Sequence, residues 1–346
     1  TPVVPATVVS LLFAGDAMQH QAQIASARTG GSYDYTDCFE WIAPEVTAAD
    51  YAVVNLEAPA GGAPYTGYPC FSAPDEFPVA LQEAGFDLFL TANNHCLDRQ
   101  SRGARRTLHL LDSIDVDHVG TYNSTTSLNR FHPFITNVKG IRIAFLNYTY
   151  GTNGFVPTPP LVVNYIERQR IRRDIRRAKE LRAELIVACL HWGDEYQLLP
   201  NSRQKELADL LVDEGVQLVI GAHPHVIQPM ELRHDKQGNP QALVVYSLGN
   251  FISNMKTRDT VGGALVKVTV TRDAMNRVAL QSAQYTLVYT RRPVTPHDPF
   301  VVVPAEQEVR NHPQRPHLKG FLQKAREIFS RYNQGVKEYF IEKTNE

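Results

Sequence analysis

Five mostly apolar runs in this sequence each stop at a short polar cluster, and this repeated pattern constrains the fold more than any other feature. The runs span residues 8–14, 51–56, 86–91, 185–190 and 216–220, and their length and composition predict buried strands. The polar residues that follow the runs are Asp16, Glu57, Asn94 with His95, His191, and His223 with His225. Helical patterns at 101–114, 166–184 and 203–214 accompany the runs, and this order predicts strand–helix units of a parallel α/β sheet.

The other strand-like segments interrupt this parallel pattern. Two β-rich runs, 134–138 and 141–148, flank Lys139-Gly140 and predict a hairpin. Further runs follow one another without a helix between them and predict a second, antiparallel sheet; they span residues 242–247, 263–271 and 278–289. We therefore expect an α/β protein with two sheets and helical layers outside them.

The C-terminal part of the chain has a different character. Residues 291–316 are rich in proline and histidine and predict an extended connection, and residues 318–343 predict a closing helix. We expect residues 1–290 to form the main domain. Residues 291–346 are expected to form an extended arm and a helix that pack on that same domain.

The composition excludes several classes of function. The formal net charge of the 346 residues is −1, which argues against a surface that binds nucleic acid non-specifically. No run approaches the roughly 18 apolar residues that a membrane-spanning helix requires. The chain begins at Thr1 with a proline-rich lead, which predicts an exported protein, periplasmic or associated with the cell surface, whose N-terminal signal has been removed.

The four cysteines are too sparse to predict a disulfide scaffold. They are Cys38, Cys70, Cys96 and Cys189, and none belongs to a CxxC pair. We expect free thiols. The alternative, which depends on export, is a bridge between Cys38 and Cys70.

The polar residues at the strand ends predict a metal centre. Ligand sites of α/β sheets lie beyond the carboxyl ends of the strands, where loops are free above a rigid scaffold. Each residue alone has a simpler explanation, such as a turn cap for Asp16 or a hydrogen-bonded core histidine for His191. Five such coincidences at one edge are harder to explain in that way. A mixture of carboxylate, amide and imidazole suits Mn, Fe or Zn.

Two of these clusters carry the most specific chemistry. In Gly221-Ala222-His223-Pro224-His225, two imidazoles two residues apart can face neighbouring metal ions or the same ion. In Asn93-Asn94-His95, the amide oxygen of Asn94 can bind a metal while His95 projects toward substrate as a proton donor.

The motifs together resemble a known family. They are Gly15-Asp16, Asn55-Leu56-Glu57, Ala92-Asn93-Asn94-His95 with Asp98, His191-Trp192-Gly193, Gly221-Ala222-His223-Pro224-His225 and Ser247-Leu248-Gly249-Asn250-Phe251. In order and spacing they resemble the bacterial capsule-synthesis family of the CapA type, associated with poly-gamma-glutamate. That family in turn resembles the calcineurin-like metallophosphoesterases. The resemblance implies a four-layer α/β/β/α sandwich, in which two mixed sheets pack face to face between helices.

The same resemblance implies a role for each motif residue. Asp16 and His225 would bind a first divalent metal ion, and Glu57 would bridge two ions. Asn94, His191 and His223 would bind the second ion, and His95 would protonate the leaving group. His20, Asp98 and Asn250 are expected to support the site or contact substrate.

One motif departs from the phosphoesterase pattern. Those enzymes carry Asp-x-His where this chain has Asp16-Ala17-Met18. The first ion therefore lacks a histidine ligand unless His20 or Gln19 replaces it.

These expectations lead to two functional hypotheses. In the first, the protein is a metal-dependent hydrolase of capsule or envelope polymer metabolism, which uses a metal-activated water on a phosphoester, amide or ester. In the second, it binds an anionic polymer without turnover, as an accessory component of a capsule synthesis or export complex. The expected partners are an anionic polymer or a phosphate-containing small molecule and a membrane synthase complex, with no nucleic acid.

An arginine-rich segment, residues 166–184, could attract an acidic polymer. Glu167, Asp174 and Glu180 interleave with its arginines at helical pairing distances, and this pattern favours an ion-paired outer helix.

Overall fold

A computed structural model of the protein describes residues 7–295 and 298–341, apart from the side chain of Pro316. The strands, in chain order, are β1 (Thr7–Ala17), β2 (Arg28–Thr29), β3 (Ser32–Tyr33), β4 (Tyr51–Leu56), β5 (Leu88–Leu90), β6 (Asp117–Val119), β7 (Thr121–Tyr122), β8 (Phe134–Val138), β9 (Ile141–Thr149), β10 (Val162–Val163), β11 (Leu185–His191), β12 (Leu218–Ala222), β13 (Met230–His234), β14 (Pro240–Val245), β15 (Asn250–Ile252), β16 (Gly262–Arg272), β17 (Val278–Arg291), β18 (Val301–Pro304) and β19 (Lys337–Glu338). All five strand-end runs of the sequence analysis are strands.

Helices cover much of the remaining chain. They are α1 (Gln21–Ser26), α2 (Ala43–Thr47), α3 (Glu76–Glu83), α4 (Gln100–Ser113), α5 (Thr125–Phe131), α6 (Arg168–Glu180), α7 (Ser202–Asp213), α8 (Ala305–Asn311) and α9 (Pro316–Tyr332). The three predicted helices at 101–114, 166–184 and 203–214 correspond to α4, α6 and α7, although α6 is shorter at both ends than predicted.

The larger sheet is mixed. Its strand order is β18-β17-β16-β1-β4-β5-β6, with β15 beside β1 and β19 beside β17. The pairs β1–β4, β4–β5 and β5–β6 are parallel, whereas β16, β17 and β18 continue from β1 in antiparallel fashion.

The smaller sheet is also mixed, with the order β13-β14-β12-β11-β9-β8. The predicted hairpin is the antiparallel pair β8–β9 at its edge. Its three inner pairs, β9–β11, β11–β12 and β12–β14, are parallel. The carboxyl ends of β11 and β12 therefore lie next to each other.

The two sheets pack face to face around one inner core. Alternate residues of each strand point to opposite sides of a sheet. On β1, Leu11 and Phe13 belong to the inner cluster, which also contains Phe145 and Val187 of the other sheet. The intervening Leu12 of β1 packs on the outer side.

Helices cover the outer faces of both sheets. Phe77 of α3 packs in the cluster outside the larger sheet. Ile171 and Ile175 of α6 pack with Leu207 and Leu211 of α7 in the cluster outside the smaller sheet. The predicted four-layer α/β/β/α sandwich of two mixed sheets is thereby confirmed.

The prediction of a separate antiparallel sheet was wrong. The run at 242–247 corresponds to β14, which pairs in parallel with β12 in the smaller sheet. The runs at 263–271 and 278–289 correspond to β16 and β17, which extend the larger sheet from β1. The apolar character of these strands does not specify which sheet buries them, because the two sheets share one core.

The C-terminal region is also more structured than the sequence predicts. Residues 291–316 contain β18 and α8, and β18 extends the larger sheet by pairing with β17. The closing helix α9 ends at Tyr332, so the prediction that it continues toward Lys343 was wrong for residues 333–341. Residues 342–343 lie outside the described part of the chain. The division of the chain at residue 290 stays a prediction.

Two further expectations concern the described residues. The four cysteines are free thiols, and Cys38 and Cys70 are not bridged. Among the helices in the described ranges, none combines the length and apolarity needed to cross a membrane. Most of the proline-rich lead lies outside the described residues.

Candidate metal centre

The predicted ligands converge where the carboxyl ends of strands from both sheets meet. Asp16 lies near the end of β1, in register with Asn55 of β4 and Asn250 of β15. His191 ends β11, in register with Ala222 of β12. The larger sheet therefore contributes the carboxylates, and the smaller sheet contributes the imidazoles.

The two carboxylates are held by the amide of Asn55. Its Nδ2 donates to Asp16 Oδ1 at 2.8 Å and to Glu57 Oε2 at 3.2 Å, and it lies 3.4 Å from His191 Nδ1. Asn93 Nδ2 in turn donates to Asn55 Oδ1 at 3.3 Å, which orients the amide. Asp16, Asn55 and Glu57 are all buried.

The two acids have opposite protonation tendencies. Burial raises the pKa of Glu57 well above its ordinary value, and the negative charge of Asp16 raises it further. Burial would also raise the pKa of Asp16, but hydrogen bonding and the charge of His225 outweigh it and hold that pKa well below the usual range. In the absence of a cation, a proton therefore binds Glu57 more readily than Asp16.

His191 and Asn94 form a second contact between distant parts of the chain. His191 Nε2 lies 2.8 Å from Asn94 Oδ1 and 3.4 Å from Glu57 Oε1. Burial lowers the pKa of His191 well below its ordinary value, and the neighbouring His223 lowers it further. The neutral ring is the form of histidine that binds metals.

The loop after β12 presents its two histidines from an unusual backbone. His223 and His225 have φ angles of 100° and 58°, in the left-handed region that non-glycine residues rarely adopt. Such strain persists only where the surrounding structure imposes it, and it concentrates at functional sites. His225 Nδ1 lies 3.1 Å from both Asp16 Oδ2 and Asn250 Oδ1. Asn250, which the sequence analysis places in support of the site, thus lies beside a predicted ligand.

Within residues 7–295 and 298–341, three sets of donor atoms are compact enough to hold a cation. In each set the atoms lie within 4.8 Å of one another; the sets are Glu57, His191 and His223, then Asp16, Glu57 and His225, and finally Glu195, His223 and His225. The first set also has Asn94 Oδ1 beside it. The first two sets share Glu57.

Unsatisfied buried atoms show that these residues fit a cation. Glu57 Oε1 and His223 Nδ1 are buried and have no hydrogen-bond partner among the residues that the structure describes. Buried polar atoms are normally hydrogen-bonded, and exceptions call for an explanation. Burial, reinforced by His225, lowers the pKa of His223 to about 3, so its ring is neutral and can donate a lone pair. A divalent cation would satisfy both atoms, and the oxygen and nitrogen donors suit Mn, Fe or Zn.

His95 lies beside this cluster and is paired with an acid. Its Nδ1 lies 2.7 Å from Asp98 Oδ2, which also accepts a hydrogen bond from the backbone N–H of Phe71 at 2.7 Å. The pair is buried, and the edge of the His95 ring meets Phe71 with centroids 4.6 Å apart. Because Asp98 engages Nδ1, Nε2 is the nitrogen left for proton exchange.

His20 and Gln19, the two expected replacements for the missing histidine, make their hydrogen bonds outside the metal-ligand cluster. His20 caps α1: Gln23 Oε1 lies 3.1 Å from its Nδ1, and the N–H of Asn254 approaches the same atom at 3.2 Å. Gln19 is buried, and its Nε2 donates to Met18 O. His20 belongs to none of the compact donor sets.

Two residues of the site were missed by the sequence analysis. Asn55 was noticed only as part of a motif, although its amide joins Asp16, Glu57 and His191. Glu195 follows His191 by four residues and was passed over entirely. Its position after a strand-end histidine was the available signal.

Comparison with known proteins places the chain in a family. The family described as bacterial capsule synthesis protein PGA_cap matches residues 10–255. The chain belongs to this family, as the motifs predicted.

Two relatives carry matching names. The chain is 30% identical over 272 residues to the capsule biosynthesis protein CapA of Bacillus anthracis, covering 75% of this chain and 63% of that protein. It is 27% identical over 289 residues to the PGA biosynthesis protein CapA of Bacillus subtilis (strain 168), covering 78% of this chain and 70% of that protein. The chain thus spans less than two thirds of the length of the first relative.

A solved structure shows the same fold at low sequence identity. The NAD nucleotidase of Haemophilus influenzae matches 98% of this chain and 65% of its own, with a TM-score of 0.50 and 10% identity. At this identity the match supports the architecture alone.

Proposed function

We propose that this chain is a metal-dependent hydrolase of capsule or cell-envelope polymer metabolism and that it binds two divalent cations. One observation carries the proposal: two compact donor sets share Glu57, and buried donor atoms in them have no partner. In two-metal hydrolases, one carboxylate commonly joins the two ions. Family membership and the relatives named for capsule and PGA biosynthesis support the polymer class.

Each site residue has a proposed role. Asp16 and His225 would hold the first ion, Asn94, His191 and His223 would hold the second, and Glu57 would serve both. When bound, the ions would lower the pKa of a water molecule and polarise the electrophile. Asn55 and Asn250 orient the ligands through hydrogen bonds.

The chain's own acid is His95. With Nδ1 engaged by Asp98, its Nε2 would hold a proton and give it to the leaving group. A site that only binds a polymer has no use for such a buried pair. We propose that the bond cleaved is a phosphoester, an amide or an ester and that the substrate is an anionic polymer or a phosphate-containing molecule. We also propose that the protein is exported and acts beside a membrane synthase complex.

The test combines metal analysis with turnover. We expect the purified protein to bind about two equivalents of Mn²⁺ and to hydrolyse either a generic phosphodiester or gamma-linked glutamate oligomers. His95→Ala should lower kcat by about 10²–10⁴-fold while the metal content stays unchanged. His109→Ala, which removes an exposed histidine of α4, is the matched control.

Three results would contradict parts of this proposal. Absence of bound metal would overturn the metal mechanism. Unchanged turnover in His95→Ala would remove His95 from the mechanism. If the protein binds metal and retains the polymer but hydrolyses neither substrate, the second hypothesis, an accessory binding protein, would be favoured. The main support for that hypothesis is the absence of the Asp-x-His histidine.

A further inference from the structure

The two proposed metal positions are unequally provided with ligands. Around the second position, Glu57, His191 and His223 are joined by the amide oxygen of Asn94. Around the first position, the compact set consists of Asp16, Glu57 and His225. Asn250 Oδ1 lies 3.1 Å from His225 Nδ1 and has the proposed role of orienting that ring, so the first position has one protein ligand fewer than the second.

The two replacements named from the sequence, His20 and Gln19, differ in how well they could fill this gap. The Nδ1 atom of His20 is occupied by the cap of α1 and by the backbone of Asn254. Gln19 Oε1 is buried and accepts no hydrogen bond from the described part of the chain, which leaves it as the rival ligand.

Glu195 lies on the open side of the cluster. Its carboxylate is within 4.8 Å of ring nitrogens of both His223 and His225, although its side chain is exposed. The loop that carries it is tied to the histidine loop at two points: Trp192 N–H donates to Ala222 O at 3.1 Å, and Tyr196 N–H donates to Pro224 O at 2.8 Å. These bonds hold Glu195 opposite the two histidines.

We propose that Glu195 is a further ligand of the metal centre and would bind the ion held by His225, on the side of the first position that faces His223, in place of the histidine of the phosphoesterase Asp-x-His motif. The inference rests on the proposed function, because it requires the metal centre. Three facts carry it: the ligand deficit beside Asp16, the compact set formed with His223 and His225, and the backbone bonds that join the two loops.

Ligation by Glu195 would change which metal ion the first position prefers. A carboxylate replaces a neutral imidazole, so the first position gains an oxygen donor and a negative charge. Carboxylate-rich sites suit Mn²⁺ better than sites dominated by imidazole, which suit Zn²⁺. We expect the first position to prefer Mn²⁺.

The test measures metal binding directly and does not depend on a substrate. Metal-free protein is titrated with Mn²⁺ by calorimetry, and its electron paramagnetic resonance spectrum is recorded with two equivalents bound. Glu195→Gln should weaken one of the two sites by at least about tenfold, since even residues that only support ligands cost that much. The spectrum of a coupled manganese pair should give way to that of isolated ions.

The control is Asp194→Asn. Asp194 is the neighbouring exposed carboxylate, belongs to none of the compact sets, and accepts from Asn201 Nδ2 at 2.7 Å. This substitution removes the same charge from the same loop without removing a donor near the histidines. Both sites should keep their affinities, so a loss confined to Glu195→Gln reports ligation.

The outcomes separate this inference from the proposed function. If the unaltered protein binds two ions and Glu195→Gln binds them equally well, Glu195 is not a ligand although the metal centre stands. A loss of one site in Gln19→Ala but not in Glu195→Gln would assign the position to Gln19. Absence of metal in the unaltered protein would overturn both proposals.

Discussion

At the residue scale, the site depends on amides as much as on charges. Asn55 donates to both buried carboxylates, and Asn93 donates to Asn55 Oδ1 and to the backbone oxygen of Leu56 at 2.8 Å. Burial raises the pKa of Glu57, and the repulsion between two carboxylates this close raises it further. The amides reduce that cost and orient the carboxylates before any cation arrives.

The pair of His95 and Asp98 gives a prediction at this scale. Asp98→Asn keeps the shape of the side chain but removes the charge that fixes the His95 ring. Because an amide can present either oxygen or N–H to Nδ1, the ring is no longer held in one tautomer. We expect kcat to fall by about tenfold or more at unchanged metal content, measured by steady-state kinetics and metal analysis.

A second histidine–aspartate pair provides the control. His118 Nε2 lies 3.0 Å from Asp112 Oδ1, and the Asp112 side chain is 61% exposed. Asp112→Asn should leave kcat unchanged. An Asp98→Asn variant with the kcat of the unaltered protein would show that Asp98 does not act through His95.

At the element scale, glycines let the ends of the strands approach each other. A Cβ on Gly15 would lie 2.0 Å from the backbone oxygen of Gly249. The same oxygen accepts the N–H of Asp16 at 3.0 Å. The contact between the end of β1 and the residue preceding β15 thereby sets the position of a proposed ligand.

Gly15→Ala should consequently affect stability and metal binding together. The added methyl group forces the end of β1 away from Gly249 and moves Asp16 with it. We expect a loss of about 1–3 kcal/mol in the free energy of unfolding, measured by denaturant titration, and weaker binding of Mn²⁺ in calorimetry.

Gly151→Ala is the matched control for this substitution. Gly151 has no atom within 4 Å of its added Cβ and no positive φ angle. Its alanine variant should match the unaltered protein in both measurements. A Gly15→Ala variant with unchanged stability and metal affinity would mean that the close approach is not needed.

The arginine-rich helix α6 also belongs to this scale. Two of its arginines pair with α7 and its C-cap: Arg168 with Glu206 of α7 at 3.0 Å, and Arg172 with Glu214, the residue after α7, at 2.8 Å. Within α6, Arg177 pairs with Glu180 at 3.2 Å. The sequence predicts an ion-paired outer helix, and these contacts agree with that interpretation.

At the scale of the whole molecule, the proposed metal centre joins the two sheets. Asp16 and Glu57 come from the larger sheet, and His191, His223 and His225 come from the smaller sheet or the loop beyond it. A cation bound by both sets would therefore link the two halves of the sandwich. A ligand that binds only the folded protein stabilises it by mass action.

Removal of metal should lower thermal stability. At a free Mn²⁺ concentration about 100-fold above Kd, binding contributes about 2.7 kcal/mol. For a chain of this size we expect the Tm to fall by about 4 °C after chelation, and to recover when Mn²⁺ is restored, as measured by differential scanning calorimetry. Ca²⁺, which prefers six to eight oxygen ligands, is the control and should restore little. An equal Tm with and without Mn²⁺ would contradict a cation that links the sheets.

The sequence by itself determined the central strands and the kind of chemistry at their ends. Apolar runs closed by polar residues are local patterns, so β1, β4, β5, β11 and β12 and the histidines and carboxylates beside them could be read directly. The motif order also predicted the family and its two-sheet sandwich. These features follow from hydrophobic periodicity and side-chain chemistry, which need no knowledge of distant contacts.

Only the tertiary structure decided how these parts combine. The assignment of β14, β16 and β17 to a sheet depends on pairing between distant segments. Their apolar character does not decide it, because an apolar strand fits either face of a shared core. The amide of Asn55 lies beside His191, and the carboxylate of Glu195 lies near His223 and His225; each of these partners is more than 25 positions away in the chain. Sequence patterns report the chemistry of a residue, whereas its neighbours in space are set by long-range packing.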